Sequence, residues 1–190
     1  MLDKQYIQQI REELLSYALK RREVIKVAGD AQQQAKKAIF ALQRDDKEGA
    51  EERLRLAKEY LDKLNEEFKG QDDLFDEGSY RAALEEYVEA SLFYKFFVNE
   101  PLGQVKEFAM DADIFIGGLG DVPGELYRYA IKSATEKKFE EVKRCHKIAE
   151  EIIGEMVDMD LTGYNRTKFD QAKSSLHKIE EVVYELSLRS

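Results

Sequence analysis

Apolar side chains recur along this chain at the spacing of helices rather than of strands. In residues 46–69, and again at 137–157 and 166–188, Ala, Leu, Ile, Val and Phe return every three or four positions. No segment alternates apolar and polar residues convincingly enough to predict a strand. The pattern therefore predicts an all-α protein, and 190 residues are enough for a single domain with a real core.

Breaker residues place the ends of these helices. Gly29 is the only breaker in 3–44, which therefore predicts one long helix with a bend near Gly29 and Asp30. Asp46 and Gly70 bracket the second helix. The remaining expected elements are a polar connection at 71–78, a helix over 81–97 that extends to about Val98, a short helical turn at 104–109, and the helices at 137–157 and 166–188.

The segment 81–97 is apolar on nearly every face of the expected helix, which is typical of a helix buried among others. Glu86 and Glu89 nevertheless lie three residues apart within it, while Glu85 is expected to point away, toward Arg81 and Val88. A buried carboxylate is costly unless it is paired or binds a metal. Two interpretations stay open, an ion pair with Lys or Arg of a neighbouring helix and a metal or acid–base site.

Residues 111–136 contain a second unusual pattern, four glycines clustered around Asp121 and Pro123. Their spacing is not that of a dinucleotide or phosphate loop, and no strand precedes them. Asp121 and Glu125 are four residues apart and would share a helix face. One interpretation is a helix that starts at Pro123, and the other is that the glycines allow another backbone or a ligand to approach closely.

Basic residues follow one face of the first predicted helix. Arg22, Lys26, Lys37 and Arg44, with Gln33 among them, are separated by steps of four and seven residues. Such a strip is either a solvated face or a surface that follows a phosphate backbone. The net charge of −9 argues against a protein covered with nucleic-acid-binding surface, but it leaves room for a local strip.

Composition narrows the class of protein further. The single cysteine, Cys145, excludes an internal disulfide and indicates a reducing, cytoplasmic compartment. No signal peptide or membrane-spanning run is visible, so no membrane partner is expected. Neither His146 nor His177 has a Glu three residues before it, which argues against a Glu-x-x-His di-iron site.

Four segments resemble, in the same order, signature segments of the translin/TRAX family. They are AGDAQQQAKKAIFALQR at 28–44, LEEYVEASLF at 84–93, GLGDVPGELYRYAIKS at 118–133 and FDQAKSSLHKIEEVVYELSLRS at 169–190. The resemblance implies about seven helices, a hollow octamer, most simply a homo-octamer, and single-stranded RNA or DNA held inside. It also raises the option of a second, translin-like subunit.

The same resemblance implies a set of catalytic residues. The family's catalytic carboxylates correspond to Glu86, Glu89, Asp121 and Glu125, and their retention favours the magnesium-dependent endoribonuclease branch over the branch that only binds nucleic acid. The sequence departs from the family pattern at Pro123, which is expected to re-aim Asp121 by a kink, and at Gly29, where a basic residue is expected.

The chemistry of the carboxylates supports a metal independently. Converging carboxylates repel one another and an incoming phosphate. A bound Mg²⁺, with Mn²⁺ as the alternative, would replace this negative potential with a positive one. Such a metal would polarise the phosphoryl oxygen and activate water for in-line attack. Glu86, Glu89 and Asp121 are expected as ligands, whereas the role of Glu125 stays open between ligand and base. The residues expected to position the strand are Arg22, Lys26, Lys37, Arg44 and, more weakly, Arg128.

Overall fold

The computed structural model describes residues 1–69, 77–108 and 110–188. In these ranges the chain is helical, without strands, so the predicted all-α class is confirmed. The six helices are α1 (Lys4–Leu42), α2 (Lys47–Glu67), α3 (Gly78–Phe97), α4 (Ala112–Thr135), α5 (Phe139–Val157) and α6 (Gly163–Ser187).

Aspartates begin the first two helices, as their sequence positions suggest. The Asp3 carboxylate accepts hydrogen bonds from the backbone N–H groups of Gln5 and Tyr6, and Asp46 accepts one from Gly49. Between them, Asp45 adopts a left-handed backbone conformation with φ of 61°, which reverses the chain within a few residues. This tight connection lets α2 fold back along α1.

Two sequence-based expectations about helices are wrong. Residues 101–108 are irregular, so the short helical turn expected at 104–109 does not form there; the described ranges hold six helices, against about seven expected for the whole chain. Pro123 does not start a helix but lies within α4, eleven residues after it begins at Ala112. The expected stop at Gly70 and most of the connection at 71–78 lie outside the described residues.

The helices form two groups of three that meet along one seam. Helices α1, α2 and α3 pack against one another, as do α4, α5 and α6, and the contact between α3 and α4 joins the groups. Aromatic rings close one end of this seam, where Phe97 of α3 and Tyr129 of α4 have ring centroids 4.7 Å apart. No helix in the described ranges is long and apolar enough to span a membrane.

The apolar residues that recur every three or four positions in α2 and α6 are largely buried within the chain. The stripe of α2 is mostly buried against its own neighbours through Ala50, Ala57, Leu61, Leu64 and Phe68, and α6 buries Phe169, Ala172 and Ile179. By contrast, no residue of α1 before Val24 is buried. At 1.5 Å per residue, this exposed part of α1 is about 30 Å long.

Candidate functional site

Glycines bring α3 and α4 unusually close at the seam. A Cβ atom on Gly118 would lie 2.6 Å from the carbonyl oxygen of Glu85 and 2.7 Å from the Cβ of Val88, closer than real side chains approach. Only a residue without a side chain allows this backbone contact. The interpretation that the glycines permit close approach is therefore confirmed, and the approach brings the carboxylates of both helices together.

Three of the four predicted carboxylates line one cavity. Glu86 and Glu89 of α3 and Glu125 of α4 surround a volume of about 330 Å³. Its other walls are formed by Lys36, Ile39 and Phe40 of α1, by Gln43 directly after α1, and by Arg128 of α4. Asp121 lies one helical turn before Glu125, close enough that its negative charge raises the pKa of Glu86, Glu89 and Glu125.

Glu89 is the most deeply buried of these carboxylates, with 7% of its surface exposed. Burial raises the pKa of Glu89 well above its usual range, and Asp121, Glu86 and Glu125 raise it further, whereas Lys168 opposes them. Among the described residues, no hydrogen bond or ion pair reaches its carboxylate. The ion-pair interpretation therefore does not account for Glu89.

Glu86 and Glu125 do have partners, and these come largely from α1. The Glu86 carboxylate lies 3.6 Å from the Lys36 Nζ and accepts a 3.4 Å hydrogen bond from Gln32. Gln43 donates to the Glu125 carboxylate at 2.9 Å, and Arg128 lies 3.2 Å from its other oxygen. Burial still raises the pKa of both carboxyl groups despite these contacts. Glu86 therefore has a cationic partner from a neighbouring helix, as the ion-pair interpretation expects.

Asp121 is bound by a lysine that the sequence did not single out. Lys168 of α6 forms an ion pair with Asp121, and its Nζ also lies 3.9 Å from Glu85. Burial alone would lower the pKa of Lys168, but its hydrogen bonds to Asp121 and Tyr164 outweigh burial and raise that pKa, so Lys168 stays charged. Gly120 permits this arrangement, because a Cβ atom there would lie 3.0 Å from that of Lys168.

Glu85 belongs to the same cluster, contrary to expectation. It does not point toward Arg81. It accepts a 2.8 Å hydrogen bond from the Tyr164 hydroxyl, and a Cβ atom on Gly117 would lie 2.8 Å from its carboxyl carbon. The seam therefore carries five carboxylates, with Lys168 as an internal cation beside two of them.

These carboxylates are suitable ligands for magnesium, but their oxygen atoms do not converge on one position. Among the described residues, no three Asp, Glu, His or Cys side chains are close enough to hold a metal ion as they stand. Oxygen ligands suit Mg²⁺ and Mn²⁺, and Glu89 is a buried carboxylate without a partner in those residues. The donor set therefore fits either metal, provided that the other carboxylates leave their present partners.

The predicted basic strip is exposed along α1, as the sequence indicated. Arg22, Lys26, Gln33, Lys37 and Arg44 all lie on the surface. Lys37 and Arg44 also line a second cavity of about 460 Å³ together with Arg53 of α2. Phe40 lines both this cavity and the one with the carboxylates. Arg128, by contrast, lies at the carboxylate cavity itself.

Sequence reasoning missed the residues that contact the carboxylates from other helices. For α1 a signal existed, because Gln32, Lys36 and Gln43 are separated by four and seven residues and interrupt a stripe of buried alanines. For Lys168 and Tyr164 no local signal exists, since α6 reaches the site only through its packing on α4. Cys145 is buried, which raises the pKa of its thiol to about 12 and leaves it inert.

The fold and the site define a class, an all-α protein with a cluster of carboxylates where two groups of three helices meet. The chain belongs to the Translin family, whose family model matches residues 19–190. No curated protein sequence matches it.

Solved structures of related proteins have the same fold. The crystal structure of AfC3PO is 22% identical, covers 97% of this chain and 98% of its own, and superimposes with a TM-score of 0.87. A structure of AfC3PO in complex with duplex RNA is 22% identical, with 97% of each chain covered and a TM-score of 0.85. Apo-NeC3PO is 20% identical, again with 97% of each chain covered and a TM-score of 0.84.

Proposed function

We propose that this chain is a Mg²⁺-dependent endonuclease that cleaves single-stranded RNA, with single-stranded DNA as a second substrate, inside a hollow homo-oligomer. One observation carries the proposal. Carboxylates from two helices converge on one cavity, and the most buried of them, Glu89, has no partner among the described residues. Burial of an unpaired carboxylate costs stability, so its position calls for a functional reason.

Glu86, Glu89, Asp121 and Glu125 are the residues that would hold the metal. When bound, Mg²⁺ or Mn²⁺ would supply Lewis acidity and positive charge at the scissile phosphate. Lys36 and Arg128 line the same cavity and would bind the phosphate's remaining charge once the carboxylates turn toward the metal.

The basic strip on α1 supports nucleic acid as the ligand. Arg22, Lys26, Lys37 and Arg44 are exposed and would bind phosphates, which gives affinity without base specificity. A protein of the same fold, AfC3PO, has been solved in complex with duplex RNA. That complex makes RNA the first ligand to test for this chain.

A homo-octamer is the proposed assembly, with a translin-like second subunit as the alternative composition. The first part of α1 contacts little of its own chain and exposes large apolar side chains, Tyr6, Ile7, Leu14, Leu15, Tyr17 and Leu19. An exposed helix of this length that carries so many apolar side chains is typical of a segment that another subunit covers.

Cleavage of an end-labelled single-stranded RNA by the purified protein tests the activity. Cleavage is expected with Mg²⁺ or Mn²⁺ and not with chelator. Glu89→Gln and Asp121→Asn should each abolish it, while the exposed α5 variant Glu150→Gln should leave it unchanged. Full cleavage by both site variants would exclude these carboxylates as the catalytic centre.

A non-catalytic capsule for single-stranded nucleic acid is the second candidate. It is favoured by the contacts that Lys36, Lys168 and Arg128 already make with three of the four carboxylates. In that case the protein would bind RNA with the same affinity in Mg²⁺ and in chelator, and would leave it intact in both.

A further inference from the structure

Phe40 is an aromatic residue exposed between two polar cavities. Its ring is 63% exposed on α1. On one side it lines the cavity with Glu86, Glu89 and Glu125, and on the other it lines the larger cavity with Lys37, Arg44 and Arg53. Isolated exposed apolar residues are common on protein surfaces. Phe40 differs because it lines both cavities and so forms a ridge between them, which a ligand that occupies both would contact.

The larger cavity has the charge expected of a phosphate-binding surface. Lys37, Arg44 and Arg53 form no ion pairs among the described residues. Lys37 and Arg53 donate hydrogen bonds to glutamines, at 3.5 Å and 3.1 Å, and the Arg44 guanidinium lies 5.7 Å from the centre of the Phe40 ring. The one carboxylate there, Asp46, already accepts the backbone N–H of Gly49. Three available cations thus concentrate positive charge in a chain of net charge −9.

The combination of cations and an exposed ring matches how proteins hold single strands. Basic side chains follow the backbone, and aromatic rings stack on successive bases without selecting among them. A lone cation strip would bind any polyanion, and a lone ring would bind no nucleic acid tightly. Phe40 and the three cations line one cavity formed by α1, α2 and the turn between them, so the two modes of contact are available to one strand.

We propose that Phe40 stacks on the base of the nucleotide next to the scissile phosphate, while Lys37, Arg44 and Arg53 bind the phosphates leading up to it. This inference rests on the proposed nuclease function and adds a base-binding subsite to it. A strand would run from the basic cavity, over Phe40, into the cavity with the carboxylates. Because a paired base has both faces covered by its neighbours, this subsite selects unpaired nucleotides against duplex.

Binding to strands with and without bases tests the stacking directly. The full-length protein is titrated in chelator, so that nothing is cleaved, with a labelled single-stranded RNA and with an abasic strand of equal length. Phe40→Ala should weaken binding of the normal strand about tenfold and leave the abasic strand unaffected. Phe40→Tyr should keep the wild-type affinity. An equal loss for both strands, or no loss, would overturn the proposal.

A second measurement reports on the ring itself. The chain contains no Trp, so Phe40→Trp introduces a single indole at the site. Its emission should be quenched when the single strand binds, and much less by a duplex of the same sequence. Tyr184→Trp is the matched control, because Tyr184 is 64% exposed on α6, far along the chain from the cavities. Equal quenching in both variants would contradict stacking at Phe40.

The outcomes separate this inference from the function on which it rests. If the wild-type protein binds no single strand, both fail. If it binds and Phe40→Ala binds equally well, only the stacking subsite fails. If Phe40→Ala instead changes the native mass of the assembly, Phe40 is a subunit contact and the subsite is wrong.

Discussion

Two carboxylates of the same cluster have opposite surroundings. Glu89 is buried without a partner among the described residues, whereas Asp121 forms an ion pair with the largely buried Lys168. The question whether a carboxylate is held by an ion pair or is available to a metal therefore has a different answer for each residue of the cluster. Glu86 is intermediate, because it has a cationic partner, Lys36, but that partner is exposed to solvent.

These surroundings predict opposite effects of isosteric amides on stability. In chelator at pH 8, Glu89→Gln should raise the melting temperature, because it removes a carboxyl group whose ionisation is disfavoured by burial in the folded protein. Asp121→Asn should lower it, because Glu85, at 3.9 Å, is then the one carboxylate left near Lys168 among the described residues. Breaking a fully buried pair costs roughly 3–5 kcal/mol, and the remaining carboxylate should reduce that loss. Thermal melts with Glu150→Gln as control check this, and a shift of both variants in the same direction would contradict it.

The raised pKa of Glu89 also predicts a dependence of stability on pH. At a pH between the ordinary pKa of 4.5 and the raised pKa of the folded protein, the Glu89 carboxyl group has lost its proton in the unfolded chain but keeps it in the folded chain. The metal-free protein should therefore lose stability as pH rises above about 4.5, by about 1.4 kcal/mol for each unit by which the pKa is raised.

Glu89→Gln should lack this part of the pH dependence. Its stability advantage over the wild type in chelator should be near zero at pH 4 and grow toward pH 8, as measured by urea unfolding at four pH values. An advantage that does not change with pH would mean that Glu89 titrates normally.

At the scale of the helix, a shift of one residue separates two faces of α1. The predicted strip contains positions 26, 33 and 37, whereas residues 32 and 36 contact the carboxylate of Glu86. One residue corresponds to about 100° around a helix. The predicted strip therefore faces solvent beside the site, and the neighbouring face enters it.

The strip predicts a charge-dependent affinity. Lys26→Glu combined with Lys37→Glu should weaken binding to any single strand and reduce the slope of log affinity against log salt by about 1.4, since about two phosphate contacts are lost and each contributes about 0.7 on a single strand. Fluorescence anisotropy at several salt concentrations measures both. The control places the same charge change on other helices, Lys147→Glu with Lys173→Glu. Unchanged affinity and slope would leave the strip as a solvated face.

The close contact of α3 with α4 depends on Gly118. Gly118→Ala should destabilise the protein by about 1–3 kcal/mol and reduce cleavage more than tenfold, because its Cβ would force the helices and their carboxylates apart. Gly154→Ala is the matched control in α5, where no atom lies within 4 Å of the added Cβ. It should stabilise by about 0.5–1 kcal/mol. Equal melting shifts for both would mean that the seam tolerates a methyl group.

At the scale of the molecule, the apolar stripes of α2 and α6 are largely used within the chain. The first part of α1 exposes six large apolar side chains, so it is the segment on which the proposed assembly is tested first. Native mass spectrometry at micromolar concentration should give an octamer for the wild type. Leu15→Glu with Leu19→Glu should give smaller species with unchanged helical content, because charges replace exposed apolar contacts. A wild-type monomer would contradict the assembly.

The sequence by itself determined the helices and the identity of four of the clustered carboxylates. Apolar spacing, caps and breakers act over a few residues, so they fix where helices begin and end with little help from the rest of the chain. Resemblance to a family added Glu86, Glu89, Asp121 and Glu125 as a set. The error at Pro123 arose because α4 continues through a proline that local rules place at a helix start.

Only the tertiary structure decided which partner each carboxylate has. Lys168 and Asp121 are 47 positions apart in the chain, and Gln32 and Glu86 are 54 apart. The contact of Lys168 with Asp121 depends on how closely α4 approaches α6, which Gly120 permits by having no side chain, whereas the contact of Gln32 with Glu86 depends on the packing of α1 on α3. A glycine in a sequence does not say which helix will pack against it. For this reason the unpaired Glu89 and the ridge at Phe40 become visible only when the helices are in place.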